Sequence, residues 1–259
     1  MLIAHVSDFH LFSDSPESHL VRRDVEHAVR RVIDDIARFS PAIDAVMLTG
    51  DLADGGSARD YALLQELLAP LGMPVFVIPG NHDRRATMRA AFATELPFAP
   101  GTYLNYEAHL GDLRILGLDT LIEGRIEGEL ASETLDWLAD RLARVHAGHT
   151  LVLMHHPPFD SGIGAMDRRS LAAGGERLAA MVRAYPGSMR ILSGHVHRPY
   201  HAIWNGVFVA VAGSPAFQID LDLRAEAVKS RPVHEPFAYF LHRFDAPDSV
   251  VVHTRYVAL

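Results

Sequence analysis

Short apolar runs alternate along this chain with longer stretches whose apolar positions recur every three or four residues. Leu2–Val6, Ala45–Thr49 and Pro74–Ile78 are runs of strand length in which apolar residues dominate. Between them, Leu20–Phe39 repeats its apolar residues with a helical period. Ser57–Leu68 does the same behind a serine suited to cap it, and Arg84–Phe92 is a short third helix. This βαβαβ rhythm predicts a parallel sheet, whose ligand sites lie beyond the carboxyl ends of its strands.

The rhythm then changes. Tyr103–Leu110 and Leu113–Leu118 flank Gly111-Asp112, a two-residue hairpin signal. Ser132–Val145 is helical in period, Thr150–Met154 is a strand ending at His155, and Pro157 to Gly175 is glycine-rich and irregular. A helix over Glu176–Tyr185 and a strand over Met189–Leu192 follow. Tyr200–Trp204 and Val207–Val211 flank Asn205-Gly206, the strongest hairpin signal in the chain, and Phe237–Phe244 with Val250–Val257 make a last antiparallel pair. No repeat, low-complexity tract or linker interrupts the pattern, so residues 1–259 are expected to form one α/β domain with two sheets covered by helices.

Polar residues interrupt this pattern most tellingly just after the strands. Asp8-Phe9-His10, Gly50-Asp51-Leu52-Ala53-Asp54, Gly80-Asn81-His82-Asp83 and Gly194-His195-Val196-His197 occur in that order, with His155-His156-Pro157 ahead of the last. Carboxylate, amide and imidazole groups in these proportions suit two adjacent divalent metal ions. Asp8 and His10 stand two apart, so in an extended segment their side chains leave on one face. Asp51 is the natural bridging ligand, since a tight Gly50 turn frees its carboxylate, and His195 and His197 could each address a different ion. Taken singly, each motif has an ordinary structural reading: a Gly-Asp after a strand is usually a turn. In this order and at these strand ends, coincidence is a poor account.

Composition narrows the possibilities further. The formal net charge of −8 and pI near 6.0 supply no field that would draw the protein to a nucleic-acid polymer or an anionic membrane. No apolar run reaches membrane-spanning length, and the first residues lack the pattern of a signal peptide, so a cytoplasmic enzyme is expected. With no cysteine, thiolate metal sites and cysteine nucleophiles are excluded. Six of the 16 histidines lie in the motifs. The others (His5, His19, His27, His109, His146, His149, His201, His234, His242 and His253) read mostly as surface residues or interior residues with partners.

The motif series resembles that of the calcineurin-like metallophosphoesterase superfamily: Asp-x-His, Gly-Asp-x-x-Asp, Gly-Asn-His-Asp/Glu, His and Gly-His-x-His. The resemblance covers nearly the whole chain, and every motif is intact. It implies a four-layer αββα sandwich of two mixed sheets flanked by helices. Carried over by position, it implies that Asp8, His10, Asp51 and His197 hold one metal, and Asp51, Asn81, His155 and His195 the other. Mn, Fe, Co and Zn all suit such donors. His82 is implied to contact the phosphate or protonate the leaving group. Asp54 and Asp83 are candidates to orient imidazoles, and His156 to support the site or face the substrate. The resemblance also implies a homo-oligomer, a dimer in the simplest case.

The reaction expected of such a site is hydrolysis of a phosphate ester by a hydroxide generated from metal-bound water. Pro79 stands where protein Ser/Thr phosphatases of the superfamily carry Arg, which weakens a phosphoprotein reading. The stretches Met154–Pro158 and Gly194–Arg198 look most like the bacterial cyclic nucleotide and glycerophosphodiester phosphodiesterases. Small phosphodiesters are therefore the expected substrates, with 3′,5′-cyclic AMP first, glycerophosphodiesters next, and a phosphomonoesterase or non-catalytic metal-binding scaffold as the other readings. The loops Leu11–His19, Phe159–Arg169 and Gly213–Gln218 would set specificity. Arg84 and Arg85 are candidate anion contacts, and Phe159 and Phe217 candidate packing surfaces for a substituent.

Overall fold

Three parallel strands, Leu2–Val6, Ala45–Leu48 and Val75–Val77, form one side of a five-stranded sheet in the computed structural model. The structure describes all residues except Ala225, His234, Pro247 and Asp248. The C-terminal hairpin of Phe237–Ala246 and Ser249–Val257 completes the sheet, Phe237–Ala246 pairing antiparallel with Leu2–Val6. The second sheet has six strands in the order 200–204, 207–211, 189–193, 150–153, 113–117 and 106–110. Its middle four strands are parallel, and each edge strand is antiparallel to its neighbour.

Side-chain alternation explains how the layers stack. Along the second sheet Leu151, Leu153 and Leu192 point into the core shared with the first sheet. Val152, Met154 and Ile191 point the other way, onto Leu135 and Leu138 of helix Ser132–Leu142 and Leu178 and Val182 of helix Gly175–Ala184. A strand with a period of two and apolar residues at every position must be covered on both faces. Helices Val25–Ala37 and Ala58–Leu68 contribute Val29, Val32, Ile33, Ile36, Leu64 and Leu67 to the core that contains the first sheet. The result is the expected αββα arrangement, and no helix among the described residues is long and apolar enough to cross a membrane.

Most predicted elements recur within a few residues of their expected bounds. The first helix begins at Val25 rather than Leu20, because Arg22 folds back onto the Asp24 carboxylate and donates its amide to Ala216 O. Buried Val21 therefore continues the apolar pattern without continuing the helix. The stretch read as irregular from Pro157 to Gly175 contains a short helix, Gly164–Asp167, and a strand, Leu171–Ala173, that pairs with Gly128–Glu129. Asp167 folds this loop on itself by accepting bonds from Ser161 and Gly162. Asn205 and Gly206 take φ of 49° and 82°, the left-handed pair a tight hairpin requires.

Ser57 caps its helix as expected. Its hydroxyl accepts from Asp60 N at 3.2 Å while the Asp60 carboxylate accepts from Ser57 N at 2.9 Å. Asp60 also accepts from the amide and hydroxyl of Ser13, joining the cap to the Leu11–His19 loop. Replacing Ser57 by Ala should lower the unfolding free energy by about 1 kcal/mol. Urea denaturation measures this, and an unchanged midpoint would show that the capping box contributes nothing.

Candidate metal centre

All the motif residues sit past the carboxyl ends of parallel strands, where the two sheets meet. Their backbone is unusual: Asp8, His10, Asp51, His195 and His197 have φ of 57°, 46°, 47°, 71° and 56°, all left-handed. Each such residue carries a cost of order 1–3 kcal/mol unless its surroundings hold it there. The holding bonds are visible: Asp8 N donates to Gly50 O and His10 N to Asp51 O, so the two loops run side by side. The extended geometry expected for Asp8-x-His10 is therefore incorrect. The side chains still converge, because paired left-handed residues turn them toward the second sheet. Gly50, at φ 93°, is packed so closely on the His155 ring that a Cβ would collide, and a Cβ at Gly194 would strike Ser7 and Asp8.

The first group consists of Asp8, His10, Asp51 and His197, all at least nine-tenths buried. His10 Nδ1 bonds the Asp54 carboxylate at 3.0 Å, and His197 Nδ1 donates to Phe217 O at 3.0 Å. An imidazole with a single ring proton thus spends it outward and leaves a lone pair on Nε2. Those two Nε2 atoms face each other 3.1 Å apart. His197 Nε2 lies 3.4 Å from Asp8 Oδ1, and His10 Nε2 lies 3.4 Å from Asp51 Oδ2. Electron pairs converging in a buried site repel unless a cation lies among them, so the donor set fits a metal ion. Burial holds the His197 pKa well below its ordinary value, so His197 enters the group as a neutral donor.

The second group is built the same way. His155 Nδ1 donates to Thr49 O at 2.8 Å, and His195 Nε2 donates to Arg169 O at 2.9 Å. Their free nitrogens face Asn81 Oδ1 at 3.2 and 3.1 Å. His155 Nε2 is also 3.4 Å from Asp51 Oδ2, the same oxygen that approaches His10. Asp51 therefore touches both groups, as a bridging carboxylate must. Burial opposes protonation of His155, but Asp51 and Asp8 outweigh it and lift its pKa to about 9. Without metal, the second group is a proton-binding site.

The remaining predicted residues divide by role. Asp54 accepts from His10, His82 and Ser18 N, the arrangement expected of an orienting carboxylate. Burial would raise its pKa, but the hydrogen bonds from His10 and His82 prevail and keep it well below the carboxylate range. Asp83 binds no imidazole. It accepts from Leu52 N, Ala53 N, Gly80 N and the Tyr61 hydroxyl, clasping the Gly50 and Gly80 loops together. His156 is spoken for at both nitrogens, by Thr120 Oγ1 at 2.8 Å and Ile126 O at 3.0 Å. Its ring lies 4.5 Å from that of His195 and 4.9 Å from that of His155, behind the second group rather than facing open space.

Arg85 is not free to meet an anion, since the Asp119 carboxylate grips it at 2.7 and 3.0 Å. Arg84 donates to Asp83 O. Phe159 packs against Tyr200 and Trp204, whereas Phe217 lies over His197 with ring centroids 3.9 Å apart. Among the other histidines, His149 is paired as expected, but His242 is fully buried with no hydrogen-bond partner for either nitrogen among the described residues. Burial holds its pKa well below the ordinary value, so it is a neutral, unpaired interior histidine, contrary to expectation. His234 lies outside the described residues.

Sequence reasoning missed the carbonyls of Thr49, Arg169 and Phe217, which orient three of the imidazoles. No side-chain pattern could have revealed them, because every residue type has a carbonyl.

Known proteins resemble this chain in both sequence and fold. Residues 1–199 match the model of the calcineurin-like phosphoesterase family. A probable glycerophosphodiester phosphodiesterase of Arcobacter nitrofigilis is 35% identical over 257 residues, 99% of this chain and 93% of that one. A cAMP/cGMP dual specificity phosphodiesterase of Mycobacterium tuberculosis is 32% identical over 239 residues, 89% of this chain and 72% of that one. The solved purple acid phosphatase of yellow lupin seeds shares the fold with a TM-score of 0.71 at 17% identity, over 98% of this chain and 51% of that one. All four motifs and His155 lie within the matched segment, and the chain belongs to the calcineurin-like phosphoesterase family.

Proposed function

We propose that this protein is a phosphodiesterase that uses two divalent metal ions to hydrolyse small phosphodiesters, with 3′,5′-cyclic AMP and glycerophosphodiesters the two classes to test first. The observation that carries the reading is the convergence of carboxylate, amide and imidazole donors in two groups that share Asp51. Asp8, His10, Asp51 and His197 would hold one ion, and Asp51, Asn81, His155 and His195 the other. Bound there, the ions supply Lewis acidity, lowering the pKa of water to make a nucleophile and drawing charge from the phosphoryl oxygens. The relative aligned along nearly the whole chain carries the glycerophosphodiester name, which sets that class level with the cyclic nucleotide.

The protein's own residues account for substrate charge and for the leaving group. Only Asp8 and Asp51 bring formal negative charge to the ion-binding groups, so two divalent ions leave the centre net positive toward a phosphodiester anion. His82 lies at the rim, its ring 4.6 Å from that of His10. Its Nδ1 donates to Asp54 O at 3.0 Å and approaches Asp54 Oδ1 at 3.2 Å. That fixes the ring and leaves Nε2 to hold a transferable proton. Burial opposes the charged form of His82, but Asp51 and Asp54 outweigh it and raise its pKa to about 10. The metal-free group is thus charged at neutral pH, and its Nε2 is placed to protonate a departing alkoxide.

Three measurements test this account. The Mn²⁺-loaded protein should cleave bis(4-nitrophenyl) phosphate with kcat/KM at least about tenfold above that for 4-nitrophenyl phosphate, a preference of roughly 1.4 kcal/mol. Cyclic AMP and glycerophosphocholine are compared beside them. The reverse order would make the protein a monoesterase, and inertness with metal bound would make it a scaffold.

Replacing His82 by Ala should lower kcat about a hundredfold or more for alkyl leaving groups, and far less for nitrophenolate, which departs without a proton. Bound cations offset the Asp51 charge that raises the His82 pKa, so wild-type kcat for alkyl diesters should fall as pH climbs through a value below the metal-free one of about 10. The H82A profile should lose this limb. Equal losses on both leaving groups would remove His82 from proton transfer.

Metal binding should also respond to pH. A proton on His155 competes with metal below its pKa of about 9, so affinity should rise by up to about tenfold per pH unit from pH 7 toward 9 and then level off. Calorimetry in buffers of different ionisation enthalpy counts the proton released. A flat affinity over this range would contradict the assignment of His155.

A further inference from the structure

The Arg85–Asp119 ion pair lies outside both donor groups, yet it joins the Asn81 loop of one sheet to the loop after strand Leu113–Gly117, the neighbour of the His155 strand in the other. Arg85 opens helix Arg85–Phe92, three residues after His82 and four after Asn81. Asp119 follows strand Leu113–Gly117 of the other sheet and is fully buried. Its carboxylate accepts Arg85 Nε at 2.7 Å, Arg85 Nη2 at 3.0 Å, and the amides of Leu104 and Leu121 at 2.9 Å each. Arg85 Nη2 also donates to Leu121 O, its amide donates to Glu123, and the guanidinium lies over the Tyr103 ring. A bidentate guanidinium–carboxylate fork fixes both distance and orientation, which an ammonium cannot do.

From Asp119 the linkage continues to the histidines. The next residue, Thr120, bonds His156 Nδ1 at 2.8 Å. Because His156 Nε2 donates to Ile126 O, Nδ1 must accept, and the Thr120 hydroxyl is the donor. His156 in turn backs the rings of His155 and His195. A Cβ on Gly128 would run into the His156 ring, so this ring has little room to shift. At the other end, Asn81 is the residue both histidines face. The second group is therefore closed only when the Asn81 loop of one sheet and the histidines of the other are in register.

We propose that Arg85 and Asp119 are positioning residues that set this register, and so govern occupancy of the second metal group without touching metal or substrate. The proposal rests on the two-ion phosphodiesterase reading. The first group is tied to this register less directly: His197 is oriented by Phe217 O and His10 by Asp54, and only Asp51 meets the Asn81 loop, through the amide of His82.

The test is stepwise metal titration by calorimetry on the metal-free full chain, with Mn²⁺ as probe, for wild type, Arg85→Lys, Asp119→Asn and the double variant Arg85→Met/Asp119→Leu. The double variant removes both charges, so it avoids stranding one in the interior and guards against simple misfolding. Affinity for one of the two ions should fall about tenfold or more in all three variants, the usual effect of losing an outer hydrogen-bond partner, while the other stays within about twofold. Thermal melting is followed alongside. A lowered melting temperature with both affinities unchanged would reduce the pair to a stability element, and parallel loss of both affinities would show that it supports the whole site. Recovery of wild-type affinity in the double variant would mean that only charge compensation matters. Hydrolysis of bis(4-nitrophenyl) phosphate by wild type tests the functional reading separately: an inert protein that binds two ions would overturn that reading, while the affinities still decide the role of the pair.

Discussion

Two imidazole nitrogens, His10 Nε2 and His197 Nε2, face each other across 3.1 Å in the buried interior, and much of this molecule can be understood as the means of keeping them there. His10 and His197 would relax apart if their rings could turn. Each is prevented by an outward bond, to the Asp54 carboxylate or to Phe217 O. The loops that present them are themselves locked, in left-handed conformations a free chain would rarely adopt. Strain of this kind persists only where surrounding structure over-determines it. Here the surroundings are a core that runs continuously from the helices of the first sheet to the inner face of the second.

The donors are also divided between the sheets. Asp8, His10, Asp51 and Asn81 come from loops of the first, and His155, His195 and His197 from loops of the second. Neither half holds a complete donor group alone, because Asp8 meets His197 and Asn81 meets His155 and His195 only across the junction. Docking of the sheets and creation of the site are thus the same event. A metal that binds only the docked state must stabilise that state. Glycines 50 and 194 are needed for the same reason, since any side chain there would wedge the halves apart.

How much of this could be read from the chain depends on which atoms do the work. The converging donor side chains are legible because acids and histidines placed after apolar strands are conspicuous. The hairpin at Asn205-Gly206 and the cap at Ser57 were legible because each depends on local chemistry. The first helix was overextended because buried Val21 keeps the apolar period in a segment held by Arg22 and Asp24 instead. Asp83 and Arg85 were harder still. A carboxylate that ties two loops looks in sequence like one that orients an imidazole. An arginine neutralised by Asp119, 34 residues away, looks like one awaiting an anion.

The carbonyls that orient His155, His195 and His197 carry a wider implication. Two of them, from Arg169 and Phe217, belong to the loops that border the site and would shape its choice of substituent. A carbonyl does not change when its side chain does. These loops can therefore alter the side chains they present to an ester substituent while continuing to aim the same imidazoles. A carboxylate in the same role, such as Asp54 at His10, has no such freedom. In the proposed phosphodiesterase this division would leave the phosphoryl group to the rigid donors and the rest of the ester to side chains that metal binding does not constrain.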